Sequence, residues 1–148
     1  MLAQRSRKFA QLPLREKFLL IEATTLLGLA RLALWFVPFR RIVSLLGNMR
    51  AESSVELTSA QAARAKQIGW AVGTMSRHSL WKYTCLAQAV AAQAMLKRRG
   101  VPSTLYLGVA KDDEENFTAH AWVRSGRAIL TGAPGHDQYT VVAAFGDG

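Results

Sequence analysis

The chain has 148 residues, half of them hydrophobic and a fifth charged, which fits one domain with a packed core and excludes a disordered or low-complexity chain. No segment recurs at a period of roughly 20–50 residues, so a solenoid is excluded. The formal charge of +9 is uneven: residues 1–50 hold nine Lys/Arg and two Glu, a net of +7, and residues 51–148 hold ten Lys/Arg and eight Asp/Glu, a net of +2. A basic N-terminal third attracts nucleic acid, anionic lipid or an acidic protein or peptide, although a solvated basic face accounts for the charge equally well.

In chain order, Leu14 to Val37 reads as a long apolar helix ended by Pro38, and Phe39 to Leu46 as a short second one stopping near Gly47. The first is long enough to span a bilayer. However, Glu22 and Arg31 lie inside it, on opposite faces at 100° per residue. A bilayer would accept both charges at roughly 2.5–3.5 kcal/mol each near its centre. A helix packed on protein or lying on a membrane surface fits better, and so oily a helix suggests a docking surface. Membrane association is accordingly not favoured, though the charges do not exclude it.

Met49 to Val55 is polar and reads as a linker. Thr58 or Ser59 can cap a helix that runs to about Met75, with Arg77 to Tyr83 as the following loop. Thr84 then caps a helix from Cys85 to Arg99, with Leu86, Ala89, Val90 and Leu96 on one apolar face. Lys97, Arg98 and Arg99 suit the negative end of its dipole, and Gly100 stops it.

The period then changes to two. Ser103 to Ala110, Phe117 to Arg124, Arg127 to Thr131 and Tyr139 to Phe145 read as strands, separated by a charged loop at 111–116 and by turns at Ser125-Gly126 and 133–138. Helices followed by a mainly antiparallel sheet make an α+β fold.

Two residues carry candidate chemistry. Cys85, the single cysteine, falls in the first turn of a helix, where N–H groups and the dipole stabilise a thiolate. Alone it is more simply a small core residue. His120 lies on the second strand, where alternation groups Thr118, His120, Trp122 and Arg124 on one face and Phe117, Ala119, Ala121 and Val123 on the other, core-like face. Alone it is more simply a structural histidine. Together, a thiol at a helix start and an imidazole on a following strand are what a cysteine acyl-transfer enzyme needs: a proton acceptor, a stabilised thiolate and a backbone N–H for the oxyanion.

The stretch Cys85-Leu-Ala-Gln-Ala-Val90, with Leu96-Lys-Arg-Arg-Gly100, Leu105-Tyr-Leu-Gly-Val109, Ala119-His-Ala-Trp-Val123 and Gly126, resembles the B2 proteins of lasso-peptide biosynthesis, small members of the transglutaminase-like superfamily. The resemblance covers roughly residues 80–145 in order and spacing. It implies a papain/transglutaminase-like core with the nucleophile at a helix start packed on an antiparallel sheet. It also implies a cysteine peptidase that cuts the leader from a ribosomally made precursor peptide. The implied partners are that precursor and a separate leader-recognition B1 protein, with the ATP-dependent cyclase that closes the macrolactam ring on the freed core amine as a further candidate. Residues 1–50 would then be a helical partner or leader docking surface, and residues 51–148 the peptidase core.

By the same resemblance Cys85 is the nucleophile and His120 the base. The family's third member, an Asp about a dozen residues after the histidine, would fall near Thr131 and Gly132, neither acidic. Asp137 is the nearest later carboxylate. Either its turn folds back to His120, or a backbone or amide oxygen orients the imidazole; an ordinary turn aspartate is the competing reading. Asp112, Asp113, Glu114 and Glu115 read as a solvated loop, and His78 and His136 as surface histidines. Trp81, four residues before Cys85, would wall the site or fill the core.

The histidines and the cysteine show no metal-ligand spacing, and no phosphate-binding glycine loop or dinucleotide fingerprint is present, so no metal or cofactor is expected. RNA-binding aromatic motifs and a basic reading helix are also absent, which leaves charge alone for a nucleic-acid partner. With one cysteine, no disulfide can form within the chain. No short apolar run with a small-residue cleavage site follows the basic N-terminus, so a cytoplasmic, reducing compartment is the simplest expectation.

Overall fold

The computed structural model describes residues 7, 10–46, 48–49, 52–78 and 84–146. In chain order they form helices α1 (Leu14–Phe36) and α2 (Phe39–Leu46), strand β1 (Asn48–Met49), helices α3 (Ser59–His78) and α4 (Cys85–Arg98), and strands β2 (Thr104–Lys111), β3 (Phe117–Ser125), β4 (Ala128–Thr131) and β5 (Thr140–Gly146). A 3₁₀ turn at His136–Gln138 precedes β5. The α+β expectation holds: helices precede an antiparallel sheet.

The helix boundaries follow from local chemistry. Thr58 and Gln61 form a reciprocal capping box before α3: Gln61 N donates to Thr58 Oγ1 at 3.1 Å, and Thr58 N donates to Gln61 Oε1 at 3.0 Å. Thr84 caps α4, its Oγ1 accepting from Ala87 N at 3.1 Å. At the far end Val101 N bonds Leu96 O and Gly100 N bonds Lys97 O, with Gly100 at φ 66. This is a Schellman ending, and only glycine takes that backbone conformation freely. α3 runs to His78, past the expected end near Met75, so Arg77 is helical. Trp81 lies outside the described residues.

The sheet order is β1-β5-β2-β3-β4, every neighbouring pair antiparallel. β1, whose second residue Met49 opens the stretch read as linker, is the strand that periodicity missed, because two residues carry no period. The segment after it is not free either. Ser53 N donates to Thr104 Oγ1 at 2.8 Å, Arg124 Nη2 donates to Ser53 O at 2.8 Å, and Tyr106 Oη donates to Glu52 Oε1 at 3.0 Å. Arg124 Nε also donates to Tyr106 Oη, at 3.1 Å. The segment is thus laced across the sheet face that carries Arg124.

The helices cover the opposite face. Leu105, Ala121, Val123 and Phe145 from the sheet join Ala87, Ala91, Met95 and Leu96 of α4, and Ile68 and Val72 of α3, in one core. Ala119 and Phe117, expected on that face, are exposed; the core begins only at Ala121. α4 lies between the sheet and the other helices, so it is buried around most of its surface rather than on one stripe. Leu19, Leu20, Ala23, Leu27 and Ala30 of α1 close this core from outside.

α1 is long and apolar enough to cross a membrane by length and composition. Here, one of its faces is packed on protein. Glu22, one of the charges that argued against a span, pairs with Arg98 and Arg99 at the end of α4. The Arg99 hydrogen bond is the main cause that holds the Glu22 carboxyl below its ordinary range; partial burial opposes it, and the charges of Arg99 and Arg98 reinforce it. Arg99 is raised correspondingly.

A carboxyl with a depressed folded pKa contributes stability above its unfolded pKa and loses it as pH falls through the folded value. Glu22→Gln should therefore lower stability at neutral pH by about 1 kcal/mol, limited by solvent screening at this partly exposed pair. The difference from wild type should vanish on acidification below the normal glutamate range. Urea denaturation at several pH values measures both.

Candidate active site

Cys85 opens α4 directly after its capping Thr84. It is partly buried, its thiol is free, and it packs against the helix-covered core. In the first turn Ala87 N is committed to Thr84 Oγ1 and Gln88 N to the Thr84 carbonyl. The N–H groups of Cys85 and Leu86 have no intrahelical acceptor, as at any helix start. Such donors can receive an oxyanion.

His120 sits midway along β3, opposite Gly108 of β2. Its Nε2 lies 2.7 Å from the Gly132 carbonyl oxygen. A carbonyl only accepts, so Nε2 carries the proton and Nδ1 of the neutral ring keeps a lone pair. The orienting oxygen thus comes from the twelfth residue after the histidine, where an Asp was the expectation and no carboxylate stands.

Gly132 is required there. Its φ is 70, and an added Cβ would meet Ala121 O at 2.4 Å, Trp122 Cβ at 3.0 Å and His120 Nε2 at 3.1 Å. The sequence ends a strand at Thr131 and leaves a backbone or amide oxygen as the alternative to Asp137. The missing acid was the sole hint that the backbone itself provides the acceptor.

Aromatic rings fix the imidazole laterally. Trp122 stacks at 5.8 Å between centroids and Tyr139 tilts against it at 5.0 Å. Tyr106 stacks on the other side of Trp122 at 5.6 Å. Gly108 makes this possible, since a Cβ there would come within 2.8 Å of Tyr139 and 2.9 Å of the Trp122 ring. Tyr139, read only as the start of a strand, is therefore part of the histidine's surroundings. His136, read as a surface histidine, is half-buried beside Trp122 at 5.8 Å and bonds the Ala133 carbonyl through Nδ1 at 2.7 Å.

Asp137 is exposed on the 3₁₀ turn of the same loop, and no hydrogen bond joins it to His120 among the described residues. None joins Cys85 to His120 either. Alternation along β3 sends His120 to the face opposite Ala121 and Val123, the residues that pack beneath the helices. Asp112 accepts from the backbone N–H of Glu114 and Asn116 and so builds its own loop. Among the described residues no cluster of three His, Cys, Asp or Glu side chains is formed that would hold a metal.

Gly132→Ala should release His120. The left-handed backbone costs an alanine about 1–2 kcal/mol, and the clash with the Ala121 carbonyl displaces the acceptor. Nitrogen-15 NMR of the imidazole should show the Nε2–H tautomer in wild type and a mixture in the variant, with a lower melting temperature.

The family profile described as the transglutaminase-like superfamily matches residues 33–144. No curated protein and no solved structure matches the chain significantly. The match covers most of the chain, from the last turn of α1 through Cys85 and His120 into β5, and on that ground this chain belongs to the transglutaminase-like superfamily.

Proposed function

We propose that this protein is a cysteine peptidase that removes the leader from a ribosomally made lasso precursor peptide. The observation that supports it most is the 2.7 Å bond from His120 Nε2 to the Gly132 carbonyl, because it leaves Nδ1 as the basic nitrogen. Superfamily membership supports the reaction class. The quoted likeness to the B2 proteins supports the substrate.

In this mechanism Nδ1 of His120 takes the Cys85 thiol proton, and the thiolate attacks the carbonyl carbon of the scissile bond. The oxyanion forms near the Cys85 backbone N–H. The imidazolium then protonates the departing amine of the core peptide, leaving the leader as a thioester on Cys85. Water, giving its proton to Nδ1, releases the leader as a carboxylic acid. The freed core amine is what a separate ATP-dependent cyclase would consume. The first step requires thiol and imidazole to meet, and because alternation sends His120 to the sheet face away from the core on which Cys85 packs, this mechanism calls for a rearrangement on substrate binding rather than the tightening of an existing contact. A separate B1-type protein would recognise the leader and hold the scissile bond near Cys85, lowering the substrate concentration needed by tethering.

A second reading is a peptide-binding module that keeps the fold without turnover. It is favoured by the lack of a Cys85–His120 hydrogen bond and of a carboxylate on His120. One assay separates the two: incubation of the precursor with this protein, with and without the recognition protein, followed by mass spectrometry. Cleavage at the leader–core junction is expected, strongly enhanced by the partner. Cys85→Ala should abolish it and His120→Ala should reduce it at least about a hundredfold, both in folded proteins. Asp137→Asn should leave turnover within about twofold, since the Gly132 carbonyl already fixes the ring. Precursor left intact by wild type plus partner would establish the second reading.

A further inference from the structure

α1 is apolar on two opposite faces. One face, Leu19, Leu20, Ala23, Leu27 and Ala30, is buried in the core. Opposite it, Leu14, Phe18, Ile21, Leu29, Leu32 and Phe36 follow one another at three-, four- and eight-residue steps, with Trp35 at the edge, and each is more than half exposed. Phe36 reaches 80% and Trp35 66%. A stripe of seven large apolar side chains along 23 residues is the kind of contiguous apolar exposure that marks an interaction surface. The hydroxyl of Thr25, within the stripe, donates to the Ile21 carbonyl at 2.9 Å, so covering it strands no donor.

The charges around the stripe are positive. Arg15 at its start and Arg40 and Arg41 beyond its end are exposed, within a third of the chain whose net charge is +7. Of the two acids there, Glu22 is neutralised by Arg98 and Arg99. Arg31 sits over the Trp35 ring at 5.2 Å, at the edge of the stripe. Phe and Trp at one end, cations at both ends and an apolar face along the helix are the attributes of a helix that lies in a membrane interface. The pinned opposite face prevents it from spanning.

We infer that α1 docks this protein on an anionic lipid surface, its Phe18–Leu32–Phe36 stripe entering the interface and the Arg15, Arg40 and Arg41 guanidinium groups meeting lipid phosphates. This is independent of any peptidase activity. It assigns to lipid a helix for which the sequence left a protein partner and a membrane surface both open, because the stripe combines apolar exposure with flanks where Arg15, Arg40 and Arg41 outnumber Glu16.

The test is cosedimentation of the full chain with vesicles of equimolar phosphatidylcholine and phosphatidylglycerol, and with phosphatidylcholine alone. Binding is expected to the anionic vesicles, weaker binding to the neutral ones, and release by raised salt. Phe18→Ser with Leu32→Ser, and Arg40→Glu with Arg41→Glu, should each weaken binding at least about tenfold, with circular dichroism unchanged. In the otherwise unaltered protein, brominated lipid should quench a fluorescence component that disappears in Trp35→Leu, which keeps the inference testable if the double variant misfolds. Three results would overturn it: no binding of wild type to anionic vesicles; binding unaffected in folded stripe variants; or a stable dimer or protein complex that the stripe variants dissociate while vesicles remain unbound.

Discussion

The burial of α4 is the constraint on which the rest of the molecule depends. Its run of alanines, at 87, 89, 91 and 92, lets the sheet approach closely on one side and α1 and α3 on the other. Small side chains contribute little apolar area each, so the core gains stability from the number of elements that meet there rather than from large hydrophobes. One buried polar side chain on this helix, Gln93, is used across the interface: its Nε2 donates to Phe145 O at 2.9 Å. That bond ties the helix to β5, the strand that follows the site loop. The two ends of α4 then serve two purposes. The capped N-terminus presents Cys85, and the basic C-terminus holds α1 through Glu22.

On the other face of the sheet, order comes from polar lacing and stacked rings instead of apolar packing. Arg124 spreads its guanidinium over the Tyr106 hydroxyl and the carbonyls of Ser53 and Gly126. Tyr106, Trp122, His120 and Tyr139 continue from it as a row of contacting rings. Each ring limits the rotation of the next, so His120 is held laterally by neighbours that are themselves held. The hydrogen bond to Gly132 fixes the remaining freedom, rotation about the ring's own axis. Positioning of this kind requires the small residues Gly108 and Gly132, which admit the rings and the carbonyl respectively.

Much of this was legible from sequence because it rests on short-range signals. Thr84 before Cys85, Gly100 after the basic end of α4, and the alternation from Ala121 to Arg124 each carry a local physical cause, and the observed elements fall within a few residues of them. What was illegible depends on tertiary partners. Glu22 looked like an obstacle to membrane insertion; its pairing with residues 76 and 77 positions away along the chain has no local signal. Met49 of β1 and the laced segment at 52–54 read as linker, since their order comes from β5 and Arg124. Tyr139 entered the histidine's surroundings only because Gly108 makes room on a different strand. The exposure of one α1 face was equally hidden, because a helix apolar all round gives no indication of which side the core takes.

The replacement of an orienting carboxylate by a carbonyl has a defined chemical consequence. Both fix the tautomer, because both accept from Nε2–H. Only the carboxylate supplies a negative charge to stabilise the imidazolium that forms when Nδ1 takes a proton. For an alcohol nucleophile that loss would be severe, since the proton must be drawn from a weak acid. A thiol is far more acidic, and Cys85 stands at the start of α4. In the proposed mechanism the thiol's own acidity would therefore do what a carboxylate in the loop after β4 would otherwise do. In this arrangement the Gly132 carbonyl has only to aim the ring, and a backbone atom held by β4 does that without a side chain that could rotate away. The absence of an acid at residues 131–132 is therefore compatible with cysteine chemistry in a way it would not be with serine chemistry.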